Sequence, residues 1–503
     1  MFPGYFKRGP MGAYPCSSWG DVLARYGDIM DDYDSAYLVK RLMTLYGARA
    51  IVNRLAHYED PSDVTSLTAT CGTATLVDRA GSPLPTLGIT VIGPGSHSAN
   101  IKWTVTDGTI NPTTEFNITF EDEDDSRVVP EGYQNCTIAN VLDKVNGVSK
   151  IVTLADLESA TVAPDNRPAN GTGNLSEGDD GLTNLNAADW IGDEAAGTGL
   201  YAFDDYDQSM LLVAPESVLL SGAGPETVQA AVQTYCNTHR KQLVFAIHTP
   251  PDGLIPTDAA DYRNGKGKWD YTPINDWCGA MYWGDLAVLD PRTGNKLVYI
   301  NPAADVAGRI ARAHVEKKEW FAAAGPKFGN LKEVHGVRYN LGPVAKEGYR
   351  DILAEAQVNP IIVDEDGCYI DGIRTLQRET TQLQNSPVAW LMMVMKKALY
   401  KYARSYRYYK IGPATWALMY SELNPWLAQL KKELGFAEYY LQVDQDAPDI
   451  MSGKINTPET IERGILMGDI AVKPIPDAQW VGFVVGITKL SMTFEDYEKI
   501  SVL

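Results

Sequence analysis

Residues 282–331 read YWGDLAVLDPRTGNKLVYINPAADVAGRIARAHVEKKEWFAAAGPKFGNL, and residues 358–376 read VNPIIVDEDGCYIDGIRTL. The first stretch begins with the apolar segment 286–289, which predicts a β-strand that ends in a turn at residues 290–294. Residues 296–300 predict a second strand. The two strands together predict a hairpin-like unit, and this unit leads directly into the rest of the stretch.

A break and a helix come after the hairpin. Asn301-Pro302 interrupts the chain. A helix of small side chains comes next, which includes Val306, Gly308, Ile310 and Ala311. No nucleophile, base and oxyanion donor converge in this run. We therefore interpret it as a surface without a catalytic site.

The order of these motifs resembles that of the contractile tail sheath proteins of phages and related injection machines. That family shows a Pro-rich break, an A-G-x-x-A-R helix, a G-x-W-x-x-P/A-A-G segment, an I-N-P segment and a strand ending in G-x-R-T-L. The counterparts here are Asn301-Pro302, Ala307 to Arg312, Trp320 to Gly325, Val358 to Pro360, and Gly372 to Leu376. The resemblance implies assembly and contraction, with no substrate and no cofactor.

Length and charge limit the possible functions. A chain of 503 residues is long enough for two to four domains, and its hydrophobic content of 45% is ordinary for globular protein. The formal net charge of -20 argues against binding to nucleic acid or to an anionic membrane, because both need a basic face. The composition suits a soluble protein at high concentration, or one with a basic partner.

Cysteine and histidine spacing gives no sign of a metal site. The six cysteines are far apart and form no CxxC, which predicts buried thiols in a reducing cytosol. The six histidines have no HxxxH or HExxH spacing, and the acidic run 121–125 lacks the DxDxDG spacing of a calcium loop. The N-terminus has no apolar signal-peptide region, and no apolar stretch approaches the roughly 20 residues that span a bilayer.

The predicted fold class is α/β and α+β multidomain. Residues 1–59 and 201–376 predict a discontinuous α/β middle domain. Within it, a strand near 210–214, a helix at 226–239 and a strand at 243–248 imply a right-handed crossover in a largely parallel sheet.

Two further domains complete the prediction. Residues 60–200 alternate strand-like stretches with turn clusters, which predicts an inserted all-β domain. Its end, residues 164–199, is rich in Gly, Asn and Asp and predicts a long mobile surface loop. Residues 377–503 predict a C-terminal α+β domain that begins with two long helices, the second kinked or divided at Pro425.

One histidine and one Gly-rich loop invite comparison with enzyme sites. His248 ends an apolar strand at the carboxyl edge of the predicted sheet, where α/β enzymes place ligands. The alternative is a strand-end residue that bonds to its own turn. Gly222-Ala-Gly-Pro precedes a helix but lacks the third Gly of GxGxxG and the Lys-Ser/Thr of a P-loop, so a nucleotide site is disfavoured.

The segment 396–410, KKALYKYARSYRYYK, is basic and aromatic in an acidic chain. The sheath resemblance implies that this helix faces an inner tube, which makes Lys397, Lys401 and Arg404 candidate tube contacts. A plain solvated helix face and a single-stranded nucleic-acid contact are the alternatives.

The resemblance also implies how copies join. Sheath subunits form a helical homopolymer through heterologous contacts, and extended arms add strands to the sheets of neighbours. The end of this chain alternates well enough to supply such a strand, whereas residues 2–5 form only a stub at the other end. The candidate strand residues are Lys489, Leu490, Met492, Phe494, Tyr497 and Ile500.

The remaining expectations concern partners and location. Implied partners are the chain itself, a tail tube protein, and baseplate and tail terminator proteins, with neither nucleic acid nor direct membrane insertion. The implied location is the tail sheath of a virion assembled in the host bacterial cytoplasm. Two alternatives stay open: an α/β enzyme with a site near His248, and another virion structural protein such as a baseplate or capsid component.

Overall fold

Helices and strands alternate along the chain in a computed structural model that describes residues 1–124, 128–207, 211–448 and 454–477. The α-helices of this part are α1 (Trp19–Tyr26), α2 (Ser35–Tyr46), α3 (Ile138–Val145), α4 (Ala187–Ile191), α5 (Gly224–Thr234), α6 (Pro256–Asn264), α7 (Ala303–Glu316), α8 (Gly325–Phe328), α9 (Glu347–Glu355), α10 (Ser386–Ser405), α11 (Pro413–Lys432) and α12 (Pro458–Glu462). The strands are β1 (Phe2–Gly4), β2 (Gly12–Cys16), β3 (Ala50–Arg54), β4 (Thr73–Val77), β5 (Pro85–Val91), β6 (Ile101–Asp107), β7 (Phe116–Asp122), β8 (Glu131–Cys136), β9 (Val152–Asp156), β10 (Gly171–Asn174), β11 (Leu211–Val213), β12 (Phe245–His248), β13 (Gly279–Trp283), β14 (Leu286–Asp290), β15 (Lys296–Ile300), β16 (Gly336–Val337), β17 (Val358–Asp364), β18 (Gly367–Ile370), β19 (Phe436–Gln442), β20 (Ala447–Pro448), β21 (Lys454–Ile455) and β22 (Asp469–Pro474). The fold is mixed α/β, as the sequence predicts.

A five-stranded sheet lies at the centre of the first of two compact units, Met1–Tyr408 and Tyr409–Leu503. Its order is β11-β12-β13-β17-β18, parallel except for the last pair. The chain passes from β11 through α5 to β12, which confirms the predicted strand–helix–strand unit. The helix continues beyond α5 in a single π-turn at Tyr235–His239.

Both faces of this sheet are covered by helices. Successive side chains on a strand point to opposite faces, so each strand contributes to two cores. Phe245 and Ile247 of β12 join a core formed with α2 and α7, whereas Ala246 joins the core on the side of α5. The strands are therefore apolar almost throughout, which is the pattern of a buried parallel sheet.

The hairpin that opens the quoted stretch forms as predicted. β14 and β15 pair antiparallel over five residues, and β16 adds a third strand on the other side of β14. The N-terminal stub is also a strand, since β1 pairs in parallel with β3, which in turn pairs with β2.

Residues 73–174 supply two further sheets, β4-β5-β9 and β10-β6-β7-β8. Their apolar side chains form a separate core that includes Leu87, Phe116, Phe120 and Val152. A helix, α3, packs beside these strands and contributes Val141 and Val145 to the same core. Residues 73–174 therefore have their own core, and we call them the β module.

The prediction of a mobile loop at residues 164–199 is wrong. The segment contributes strand β10 and helix α4, and Trp190 of α4 is completely buried. The Trp190 indole N–H donates to the Tyr5 hydroxyl at 2.7 Å. Its Gly, Asn and Asp residues act as caps and turns around this anchor, so the composition alone was misleading.

Buried arginines join the β module to the rest of its unit. The guanidinium of Arg54 donates to the carbonyl oxygens of Gly9, at 2.8 Å, and Pro94, at 2.5 Å. Arg8 pairs with Asp122 at 2.7 Å. The two points at which the chain enters and leaves residues 60–200 lie side by side. The Thr198 hydroxyl donates to the carbonyl of Pro61 at 2.8 Å.

The second unit combines helix and sheet. Helix α11 spans Pro413–Lys432 with Pro425 inside it, so the proline does not divide the helix. Trp416, Leu423 and Leu427 lie on its buried side. Strands β19 and β22 pair antiparallel with one irregularity in register.

The structure bears on further expectations about cysteine burial, membrane spans and domain organisation. Five cysteines are buried, but Cys71 is exposed. Within the described residues, no helix combines the length and apolar character needed to cross a membrane. Helix α10 belongs to the first compact unit. The proposed division at 59/60, 200/201 and 376/377 stays a prediction.

Candidate assembly site

The small-residue helix of the opening stretch is α7, and a glycine in it lies against α2. A Cβ added to Gly308 would come within 2.5 Å of Cδ2 of Tyr46. Neighbouring Ala307 is almost fully buried. The A-G pair therefore lets two helices approach more closely than larger side chains would permit.

A buried ion pair fixes the same helix contact. Arg41 of α2 donates to both carboxylate oxygens of Asp305 in α7, at 3.0 and 2.8 Å. The Tyr46 hydroxyl donates to Asp305 at 2.9 Å. Burial opposes the charge of Arg41, but the hydrogen bonds and the negative charge of Asp305 outweigh it and raise the pKa of the guanidinium.

Asn301, the residue before Pro302, orients α7. The Asn301 side chain accepts a hydrogen bond from the backbone N–H of Ala303 at 3.0 Å, which satisfies a donor in the first turn. Its amide group donates to the Thr249 hydroxyl at 2.9 Å. The hairpin, the helix and the loop after β12 thus meet at one buried asparagine.

A second asparagine joins two motifs that are separated in sequence. The Asn359 amide donates to the carbonyl oxygens of Met281, at 3.0 Å, and Arg374, at 2.8 Å. It accepts from the backbone N–H of Arg374 at 2.7 Å. A Cβ on Gly372 would lie 2.5 Å from the Asn359 side-chain oxygen, so this glycine makes room for the contact.

His248 is buried within the fold. Its Nε2 lies 3.1 Å from Oε1 of Gln233 in α5, and the residue is 4% exposed. Burial, with a further contribution from the positive charge of Arg263, lowers its pKa to about 3. The ring is neutral at physiological pH and bonds to a helix rather than to its own turn.

The basic helix α10 places the candidate tube contacts differently from one another. Lys401 and Arg404 are exposed. Lys397 is half-buried, and desolvation lowers its pKa, although Asp207 opposes this shift. Its neighbour Lys396 bonds to Gln242. Lys401 and Arg404 are therefore more accessible than Lys397, and the tube contact of all three stays a prediction.

The aromatic side chains of the same segment point in several directions. Tyr408 is fully exposed, and Tyr400 is half-exposed with Lys241 at 6.0 Å from its ring centroid. Tyr402 and Tyr406 contact each other with ring centroids 4.9 Å apart. The end of α10 therefore presents tyrosine and basic side chains together.

The candidate inter-subunit strand cannot be compared with these features. Its six residues, Lys489, Leu490, Met492, Phe494, Tyr497 and Ile500, lie outside the described residues. Metal binding has no support from geometry either: within the described ranges, no three His, Cys, Asp or Glu side chains are grouped as a metal site requires.

Sequence reasoning missed a buried carboxyl group at the start of α2. Glu216 is 3% exposed and accepts from the backbone N–H of Asp34 at 2.6 Å and of Ser35 at 3.1 Å. Burial raises its pKa to about 7, although these hydrogen bonds oppose the shift. The only sequence signal was a carboxylate within an apolar stretch, PESVLL, which is too common to identify a buried partner.

Two solved structures share the fold over most of the chain. The sheath tail protein Lin1278 from Listeria innocua superposes with a TM-score of 0.59 and covers 88% of this chain and 88% of its own, at 10% identity. The sheath tail protein DSY3957 from Desulfitobacterium hafniense gives a TM-score of 0.54 over 88% of this chain and 89% of its own, at 11% identity. This chain has the sheath tail protein fold.

The sheath fold gives the motif series a physical meaning. Gly308 is a packing residue of that fold, and Asn301 and Asn359 are hydrogen-bonding residues. No protein-family model matches the sequence, and no curated protein matches it. At such low sequence identity, the ordered motifs and the three-dimensional comparison carry the resemblance.

Proposed function

We propose that this chain is the subunit of a contractile tail sheath, which polymerises helically around an inner tube and contracts to drive the tube through a host envelope for genome delivery. The observation that supports this proposal most strongly is the sheath fold, which extends over 88% of the chain. The buried Gly308 and Asn359 contacts give the motif series a structural role within the same fold.

In the proposed mechanism, nearly rigid subunits change their lattice contacts. The extended lattice is kinetically trapped around the tube, and the contracted lattice has the lower free energy. Buried contacts such as Arg41–Asp305 keep each subunit rigid during this change. No bond is hydrolysed, so the mechanism needs no catalytic activity and no cofactor.

Strand addition is the proposed link between copies. The segment 487–503 would add a strand to a sheet of the next subunit, where backbone hydrogen bonds give a strong but bendable connection. The two-stranded sheet β19–β22 is the proposed acceptor, since among the described residues neither of its strands pairs with a third.

The proposed partners belong to this assembly. They are further copies of the chain, a tail tube protein, and baseplate and tail terminator proteins. The net charge of -20 argues against nucleic acid as a partner. The proposed location is the virion tail, after assembly in the host bacterial cytoplasm.

Negative-stain electron microscopy of the purified chain at high concentration tests the proposal. We expect hollow tubes of constant width. Small closed rings would favour another virion structural protein, such as a baseplate or capsid component. Monomers that remain monomeric after addition of preformed inner tubes would contradict a sheath function.

The enzyme alternative has less support. Its candidate residue, His248, is buried, neutral and bonded to Gln233. A general base needs access to its substrate proton. Detection of a small ligand that binds at the β12 end of the central sheet would reopen this alternative.

A further inference from the structure

A polar concavity with two arginines lies beside the G-x-R-T-L motif. Its volume is about 340 Å³. The end of α9 forms one wall, and the loop that comes after the motif forms another. Its polar side chains are Asn264, Glu355, Gln357, Arg374, Arg378 and Gln384. The packing of the fold described above does not account for this concavity.

The backbone of Arg374 is held in place from both sides. Asn359, which is fully buried, accepts from the Arg374 N–H and donates to the Arg374 carbonyl. The next residue, Thr375, is also fully buried and donates its N–H to the carbonyl of Gln384 at 2.8 Å. The position from which the Arg374 side chain extends is therefore fixed before any partner binds.

The guanidinium of Arg374 has no hydrogen-bond or ion-pair partner among the described residues. Arg378, on the same concavity, donates to the side-chain oxygen of Asn264 at 2.8 Å and is otherwise exposed. A guanidinium with fixed attachment and unused donors suits a carboxylate, which it binds through two parallel hydrogen bonds.

One acidic side chain shares the concavity. Glu355, at the end of α9, is exposed and forms no ion pair with Arg374 in the described part of the chain. Its negative charge would compete with an incoming carboxylate for the two arginines. The balance of one acid against two arginines nevertheless leaves a net positive site on a chain whose total charge is -20.

Charge decides which occupant fits. Copies of a chain with a net charge of -20 repel one another, so their association requires local positive sites that receive acidic side chains. We propose that the concavity around Arg374 and Arg378 is an inter-subunit socket that receives an Asp or Glu side chain from a second copy of this chain. The inference rests on the proposed self-assembly.

Matched arginine substitutions test the socket. Arg374→Gln should raise the protein concentration needed for tube formation roughly tenfold or more, because a charge-assisted hydrogen bond is lost. Arg374→Lys should recover only part of the loss, since an ammonium cannot form the bidentate pair. The control is Arg49→Gln, which makes the same change of charge at an exposed arginine elsewhere and should leave assembly unchanged.

A substitution of opposite sign gives a second, independent readout. Glu355→Gln removes the competing carboxylate, so tubes should form at a lower concentration and persist to higher salt. Thermal unfolding of each variant before assembly shows whether a change acts on the fold. An Arg374→Gln variant that is less stable but assembles normally would assign Arg374 to the fold and overturn the socket.

Other outcomes separate this inference from the proposed function. If the parent chain forms tubes and Arg374→Gln forms them at the same concentration, the socket is wrong and the sheath function stands. If the parent chain neither forms tubes nor self-associates in sedimentation, both proposals fail. In a structure of the assembled tube, a carboxylate of a neighbouring copy should lie within hydrogen-bond distance of Arg374; a carboxylate of the same copy there would refute the socket.

Discussion

Gly308 of α7 lies directly against the aromatic ring of Tyr46 in α2. A methyl group at Gly308 would approach the ring to 2.5 Å at Cδ2 and 2.7 Å at Cγ. The hydroxyl of the same tyrosine bonds to Asp305, one turn earlier on α7. One residue thus sets both the distance and the register of two helices.

Gly308→Ala should therefore destabilise the fold. Alanine favours a helix over glycine by up to about 1 kcal/mol, but overpacking against a fixed ring costs about 1–3 kcal/mol, so the net effect is a loss. The free energy of unfolding in urea measures it. Gly348→Ala in α9 is the matched control, since a methyl group there meets no atom within 4 Å and should be neutral or stabilising.

Asn359→Leu should cost about 3 kcal/mol or more. The substitution preserves much of the volume but removes the fully buried partner of three backbone groups, the N–H and carbonyl of Arg374 and the carbonyl of Met281. Chemical denaturation measures the loss. The control is Asn111→Leu on an exposed turn, where we expect a change below about 1 kcal/mol; equal losses at both sites would contradict the assigned role of Asn359.

Glu216 should make stability depend on pH in the direction opposite to that of a salt-bridged acid. Its pKa is raised from 4.5 to about 7 on folding, so the folded state holds the proton more tightly. This contribution is fully present below pH 4.5 and is lost as the pH rises to about 7, with a total on the order of 3 kcal/mol. Glu216→Gln should remove it.

The measurement is the difference in unfolding free energy between the parent and Glu216→Gln from pH 4 to pH 8. The variant should be the more stable by an increasing margin as the pH rises. A constant difference across this range would show that Glu216 does not change its protonation on folding.

The double substitution Lys401→Glu and Arg404→Glu should abolish attachment to an inner tube, if α10 faces that tube as the sheath resemblance implies and the tube surface is acidic. Both side chains are exposed, so the monomer should remain folded. Lys397 is omitted because it is half-buried and its substitution would also disturb packing. Cosedimentation with tubes measures attachment, and Arg49→Glu with Lys266→Glu provides an equal change of charge elsewhere.

Truncation before Ser491 should abolish polymer formation and leave a folded monomer. The deleted residues include the candidate strand residues Met492, Phe494, Tyr497 and Ile500. Electron microscopy measures polymer, and circular dichroism measures folding. Normal tubes from the truncated chain would contradict strand addition by this segment.

Local patterns predicted much of the fold. The hairpin β14–β15 and the crossover through α5 arise from alternating apolar residues and turn signals, which act over a few residues. The predicted fold resemblance is confirmed by two superpositions that each cover 88% of the chain. Short-range information was enough for these elements, because their local sequence preferences agree with the tertiary contacts that they make.

The features that the sequence did not predict depend on contacts between residues far apart in the chain. Residues 164–199 have the composition of a loop, yet Trp190 anchors them against Tyr5, and no local signal indicates a partner 185 residues away. Glu216 likewise depends on the N-terminus of α2, far away in sequence. Lys397 lies on the predicted basic stripe, but it is half-buried beside Asp207 and Arg240, which no local signal indicates.

The contact between Thr198 and Pro61 has an evolutionary and practical consequence. Because the chain leaves and re-enters at neighbouring points, we expect that residues 73–174, which have their own core, can be lengthened, exchanged or shortened without rerouting the polypeptide elsewhere. Such a cassette lets one part of the chain diversify while the packed helices keep their geometry. It also offers a place to graft a foreign domain, provided that the graft supplies partners for Arg8 and Arg54 and that Trp190 stays in place against Tyr5.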